Sequence, residues 1–137
     1  MMIAILLSAG TFLNAADTDR HPIDIKLERC LSHSNAIMPR AECYSTAYTS
    51  WEKDIDVSEK KLLAKAGEKE KASLAASQIA WEKYRDTRFQ QIAERYNKMR
   101  GTGYIPVRVK VRMEILRERA LQLEKELKTA TVPASVP

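Results

Sequence analysis

Apolar residues recur along most of this chain at intervals of three and four, the period of a helix buried along one side. From Arg40 to about Ala66 the recurring positions are Tyr44, Tyr48, Trp51, Ile55 and Leu62, which share one helix face. Gly67 is expected to end this helix in a left-handed cap conformation. A second stripe, Leu74, Gln78, Trp81, Arg85, Phe89, Ile92, Tyr96 and Met99, predicts a helix from about Glu68 to Arg100. Gly101-Thr102-Gly103 would stop it. A third stripe, Val109, Met113, Leu116, Ala120, Leu123 and Leu127, places a helix from about Pro106 to Lys128 and approaches a heptad pattern. Val107, Val109 and Val111 alternate with basic residues and also read as a short strand. Helix is preferred there, because a lone strand leaves its backbone groups unpaired.

Upstream the periodicity weakens. Pro22 suits the first turn of a short helix running to Cys30, His33-Ser34-Asn35 reads as a break, and Pro39 restarts the chain. Short connections at Gly67 and at Gly101 to Gly103 make consecutive long helices antiparallel. The expected fold class is therefore all-α. It is an antiparallel three-helix bundle with a short N-terminal helix stapled to it by a disulfide between Cys30 and Cys43.

That staple depends on the compartment. The apolar run Met2 to Leu13 is followed by Asn14-Ala15-Ala16. It is shorter than the roughly 20 residues needed to span a bilayer, and its small residues suit signal-peptide cleavage. A buried helix is the competing reading, and no Lys or Arg precedes the run. Residues 1–16 are read as a signal peptide, 17–128 as one helical domain and 129–137 as a disordered tail. Export to the periplasm or beyond would place both cysteines where a disulfide persists.

Composition adds little to the fold and more to the exclusions. Four glycines in 137 residues, with 30% charged residues, favour helix. The formal charge of +5 is diffuse, with Lys and Arg interleaved among Glu and Asp as on solvated helix faces. Nucleic acid is not an expected partner. The densest basic group, Arg108, Lys110 and Arg112, keeps contact with an anionic membrane surface as an alternative. His21 and His33 both precede the long helices, and no H-E-x-x-H or C-x-x-C spacing is present. No glycine-rich phosphate loop exists, and Asp54 and Asp56 fall on different helix faces. No catalytic residue, metal or cofactor is expected, and the protein is read as a non-enzyme.

One constellation departs from plain core patterning. Gln78, Trp81 and Arg85 interrupt the apolar stripe of the second long helix on a single face. A buried amide and guanidinium need partners, or each is costly. Asp86 points about 100° away from Arg85 and need not be its partner, whereas Arg119 of the last helix could approach. Two readings stand: an interhelical polar network that fixes register, or a partner-binding groove in which Trp81 and Arg85 reach the surface.

Four elements stand out in order along the chain: Cys30 with Cys43, Tyr48-x2-Trp51-x3-Ile55, Ala76-x-Gln78-x2-Trp81-x2-Tyr84-Arg85-Asp86, and Arg119-x3-Leu123. Together they resemble the lysozyme-inhibitor LprI N-terminal-like domain family, small exported bacterial helical proteins, over residues 30–127. The resemblance implies a cysteine-bridged domain whose family is named for a lipoprotein that inhibits lysozyme. Cys30 and Cys43 match its first cysteine pair, Gln78, Trp81, Arg85 and Asp86 its central motif, and Arg119 the arginine of its last helix. A second cysteine pair found in many members is replaced here by Phe89 and Val111, expected to face one another. The family's Leu-Asn becomes Ile55-Asp56, and a following tyrosine becomes Glu59.

The resulting expectation is a periplasmic protein that binds or inhibits a protein partner in the cell envelope, a lysozyme-like cell-wall enzyme being the leading candidate. The alternative is a structural envelope protein that touches anionic lipid or cell-wall polymer through a basic face. A net charge of +5 opposes a cationic lysozyme unless a local acidic patch does the docking.

Overall fold

The computed structural model describes residues 20–131. The segment read as a signal peptide and the last residues of the tail lie outside them. Four helices run in order: α1 (Pro22–Ser32), α2 (Ile37–Lys65), α3 (Glu68–Tyr96) and α4 (Ile105–Thr131). No strand occurs among the described residues, so the valines at 107, 109 and 111 belong to α4.

Helix ends differ from the periodicity in ways that capping explains. α2 starts before Pro39, because the first N–H bonded within the helix is that of Arg40, to the carbonyl of Ala36. Proline is tolerated in a first turn, whose amides have no intrahelical acceptor. Gly67 does not adopt a left-handed cap: its φ is −75°, and it is the N-cap of α3. Its own N–H donates to Glu70 Oε2 at 3.2 Å, and α2 ends one residue earlier, at an extended Ala66. The left-handed glycine is Gly101, at φ 80°, in the turn after α3. That helix stops at Tyr96 rather than Arg100, while α4 runs past Lys128 to Thr131.

The main core lies between α2 and α4. Tyr44, Ala47, Trp51, Ile55 and Leu62 of α2 meet Met113, Leu116, Ala120 and Leu123 of α4. Trp51 and Ala120 are both 0% exposed, and small Ala47 and Ala120 let the helix axes approach. These two helices run parallel, with Tyr44 near Pro106 and Leu62 near Ala130.

α1 lies antiparallel along this pair and lays Ile23, Leu27 and Leu31 on the core. The Cys30–Cys43 disulfide holds one end. Near the other, the carboxylate of Asp24 accepts hydrogen bonds from Arg117 Nε and Nη2 at 2.7–3.1 Å. Those bonds, ahead of an opposing burial effect, raise the Arg117 pKa above its ordinary value.

α3 closes the bundle less tightly. Its fully buried residues are Ile92 and Tyr96, which join Ile115 in a second cluster. Phe89 and Val111 both pack against that cluster. Toward its N-terminus, Leu74 and Trp81 are only half-buried. The polar interruptions at Gln78 and Arg85 make this part of the stripe too wet for a close-packed seam.

Candidate functional site

α3 stands off from the packed pair α2 and α4 and leaves a groove of about 280 Å³. Glu59, Leu62 and Leu63 form one wall, Leu74, Gln78, Ile79 and Glu82 the other, and Arg119 with Leu123 the floor. Helical spacing produces the walls: Glu59 and Leu63 are four apart on α2, Gln78 and Glu82 four apart on α3.

Arg119 organises the floor. It is 5% exposed, and its Nη2 donates to Gln78 Oε1 at 3.2 Å, tying α4 to α3. Its guanidinium carbon lies 5.5 Å from the centre of the Trp81 ring, within cation–π range. Glu59 Oε1 is 3.9 Å from Arg119 Nη2, bringing α2 into the same network. Arg119 Nε and Glu59 Oε1 are both buried and make no hydrogen bond among the described residues. The floor thus retains unused donor and acceptor capacity.

Farther along α3, the Arg85 guanidinium lies 5.2 Å from the Trp81 ring centre. Arg85 Nε also donates to Asp86 Oδ1 at 2.9 Å. This corrects the expectation that Asp86 need not pair with Arg85, because the long arginine side chain folds across the intervening angle. Gln78, Trp81, Arg85, Asp86 and Arg119 are therefore one contiguous set. Their order is a chain of contacts from Asp86 through Arg85 and Trp81 to Arg119 and Gln78.

The flanks are acidic. The Glu59 carboxyl is pushed above its ordinary value, first by burial, with Glu82 and Asp56 adding and Arg119 opposing. Tyr48 is raised by burial and then by Glu52, with a smaller contribution from Asp86. Asp56 pairs with Lys60 and Asp86 with Arg85, and Glu59 and Glu82 line the two sides of the groove in a chain of positive net charge. Beside them Ile79 is 68% exposed, and Leu63 and Tyr84 also face solvent.

Sequence reasoning found the polar set but missed Glu59, Leu63, Ile79 and Glu82 as lining. The available signal was that Leu63 and Ile79 are large apolar residues outside the core stripes. The basic trio does not present a free face. Lys110 pairs with Glu114 at 3.6 Å, Arg112 lies 5.1 Å from the Phe89 ring and Arg108 lies 5.9 Å from that of Tyr104.

Fold and groove together define a small disulfide-clasped helical domain with a polar network beneath an open groove. Residues 30–123 match the family described as Lysozyme inhibitor LprI, and the chain belongs to that family. No curated protein and no solved structure matches it. No described helix is long and apolar enough to cross a membrane, and the disulfide is consistent with a location outside the cytoplasm.

Proposed function

We propose that this protein is an exported, non-catalytic inhibitor that takes a cationic, lysozyme-like cell-wall enzyme onto the groove between α2 and α3. Residues 1–16 would direct it to the periplasm and be removed, leaving 17–128 as the working domain. The observation that carries the reading is the pair of acidic walls, Glu59 and Glu82, around exposed Leu63 and Ile79. Local complementarity of this kind steers a basic partner despite an unfavourable net charge. Apolar anchors beside charged rims are the usual composition of a binding hot spot. Gln78, Trp81, Arg85, Asp86 and Arg119 hold the groove walls at fixed spacing and offer the floor's unused polar atoms to a partner.

The alternative, a basic face on lipid or cell-wall polymer, draws less support because Arg108, Lys110 and Arg112 are engaged within the fold. The test is lysis of a peptidoglycan suspension by lysozyme in the presence of the oxidised mature protein. Near-stoichiometric slowing is expected, weakened at least tenfold by Ile79→Lys or Glu82→Lys, both at exposed positions. Undiminished lysis at molar excess rejects lysozyme as the target. Full inhibition by both variants rejects the groove.

A further inference from the structure

Away from the groove, at the N-terminus of α1, three residues distant in sequence converge. His21 is the N-cap of α1, and its Nδ1 accepts the Ile23 N–H at 3.1 Å. Its ring centre is 4.3 Å from that of Trp51, and its Nε2 is 2.8 Å from Glu124 Oε1. Asp54 of α2 lies beside the same carboxylate. Asp54 Oδ2 is buried and accepts no hydrogen bond among the described residues. One ligand-type atom from each residue lies within 4.8 Å of the others, and all three residues are half-buried.

We propose that His21, Asp54 and Glu124 form a binding site for a divalent transition ion of the zinc class. One imidazole nitrogen and two carboxylates are donors that such ions accept, and three protein ligands leave a fourth position for water. Two carboxylates held this close repel one another unless a cation lies between them. Burial, then the Glu124 charge, raises the Asp54 carboxyl above its ordinary value, while His21 and Lys61 oppose this less strongly. A divalent ion supplies more compensation than one proton and engages the orphaned Asp54 Oδ2.

Proton accounting follows from the observed bonds. Because His21 Nδ1 accepts from Ile23, the ring proton is on Nε2 and is donated to Glu124. Binding through Nε2 moves that proton to Nδ1. The cap bond to Ile23 is then given up. The side chains must also draw inward, since zinc–ligand distances are about 2.0–2.2 Å. Access is open: His21 and Glu124 border a cleft of about 830 Å³ between α1 and α4.

The experiment is calorimetric titration of ZnCl2 into the untagged, EDTA-treated, oxidised mature protein at pH 7.5. One zinc per chain is expected. His21→Gln and Glu124→Gln should each weaken binding at least tenfold, whereas His33→Gln, altering the other histidine of the chain, should not. Glu124→Gln keeps an acceptor for His21 and so remains informative if His21→Gln lowers helicity. Absence of stoichiometric binding, undiminished affinity in Glu124→Gln, or loss of binding in His33→Gln would overturn the assignment.

Discussion

Among single residues, Arg119 carries the most consequence. Its guanidinium is buried, bonded to Gln78, near the Trp81 ring and opposite Glu59. Arg119→Ala would strand the half-buried Glu59 and uncover Trp81, and a loss of about 2–4 kcal/mol is expected in urea unfolding. Arg119→Lys should recover little, because an ammonium lacks the planar fork that bonds and stacks at once. Glu59 gives the pH dependence. Its folded-state pKa lies above the ordinary 4.5 because burial outweighs the attraction of Arg119. The native state therefore holds this proton more tightly than the unfolded chain, so its contribution is present below 4.5 and lost as pH rises through the folded value. Glu59→Gln should accordingly raise the melting temperature at pH 7 by about 2 °C, with the gain vanishing below pH 4. Equal gains at both pH values would contradict this account. The polar set was legible as an anomaly in the stripe. Glu59 was not, since only the fold shows that its partner comes from α4.

The elements differ in how firmly they are held. α2 and α4 share the buried core of Trp51, Leu116, Ala120 and Leu123, whereas α3 is anchored by Ile92 and Tyr96 near its C-terminal end. Local opening free energies follow buried apolar contact. Amides from Leu74 to Trp81 should thus exchange with deuterated solvent at least tenfold faster than those from Ala47 to Ile55, as read by hydrogen-exchange mass spectrometry. Uniform protection along α2 and α3 would refute a loosely seated α3. Periodicity placed every long helix, because repeats of three and four over many residues leave no competing arrangement. Its errors were at the ends: Gly67 caps the following helix instead of closing the preceding one, and Pro39 lies inside a first turn. Such choices depend on which amide finds which acceptor, a matter of one or two hydrogen bonds.

At the level of the whole molecule, charge is distributed unevenly in function although evenly in sequence. The net charge of +5 argues against a basic partner only if that partner senses the average. Folding gathers Glu59 from α2 with Glu82 from α3, while several arginines are drawn onto aromatic rings. Association with lysozyme should then slow as ionic strength rises from 0.05 to about 0.5 M, over which the screening length falls well below the groove's dimensions. Stopped-flow rates insensitive to salt would remove electrostatic steering from the mechanism.

The sequence by itself determined an all-α domain with three long helices, the Cys30–Cys43 clasp and the membership implied by the tryptophan motif. Each is written in local spacing, which backbone geometry converts directly into a face or a bridge. Tertiary structure decided which faces meet: α4 beside α2, α3 set farther off, and an acidic groove opening between them. It also folded His21 back onto Trp51, against Glu124 and beside Asp54. Contacts between residues a hundred positions apart have no period, so only the assembled core can bring them together.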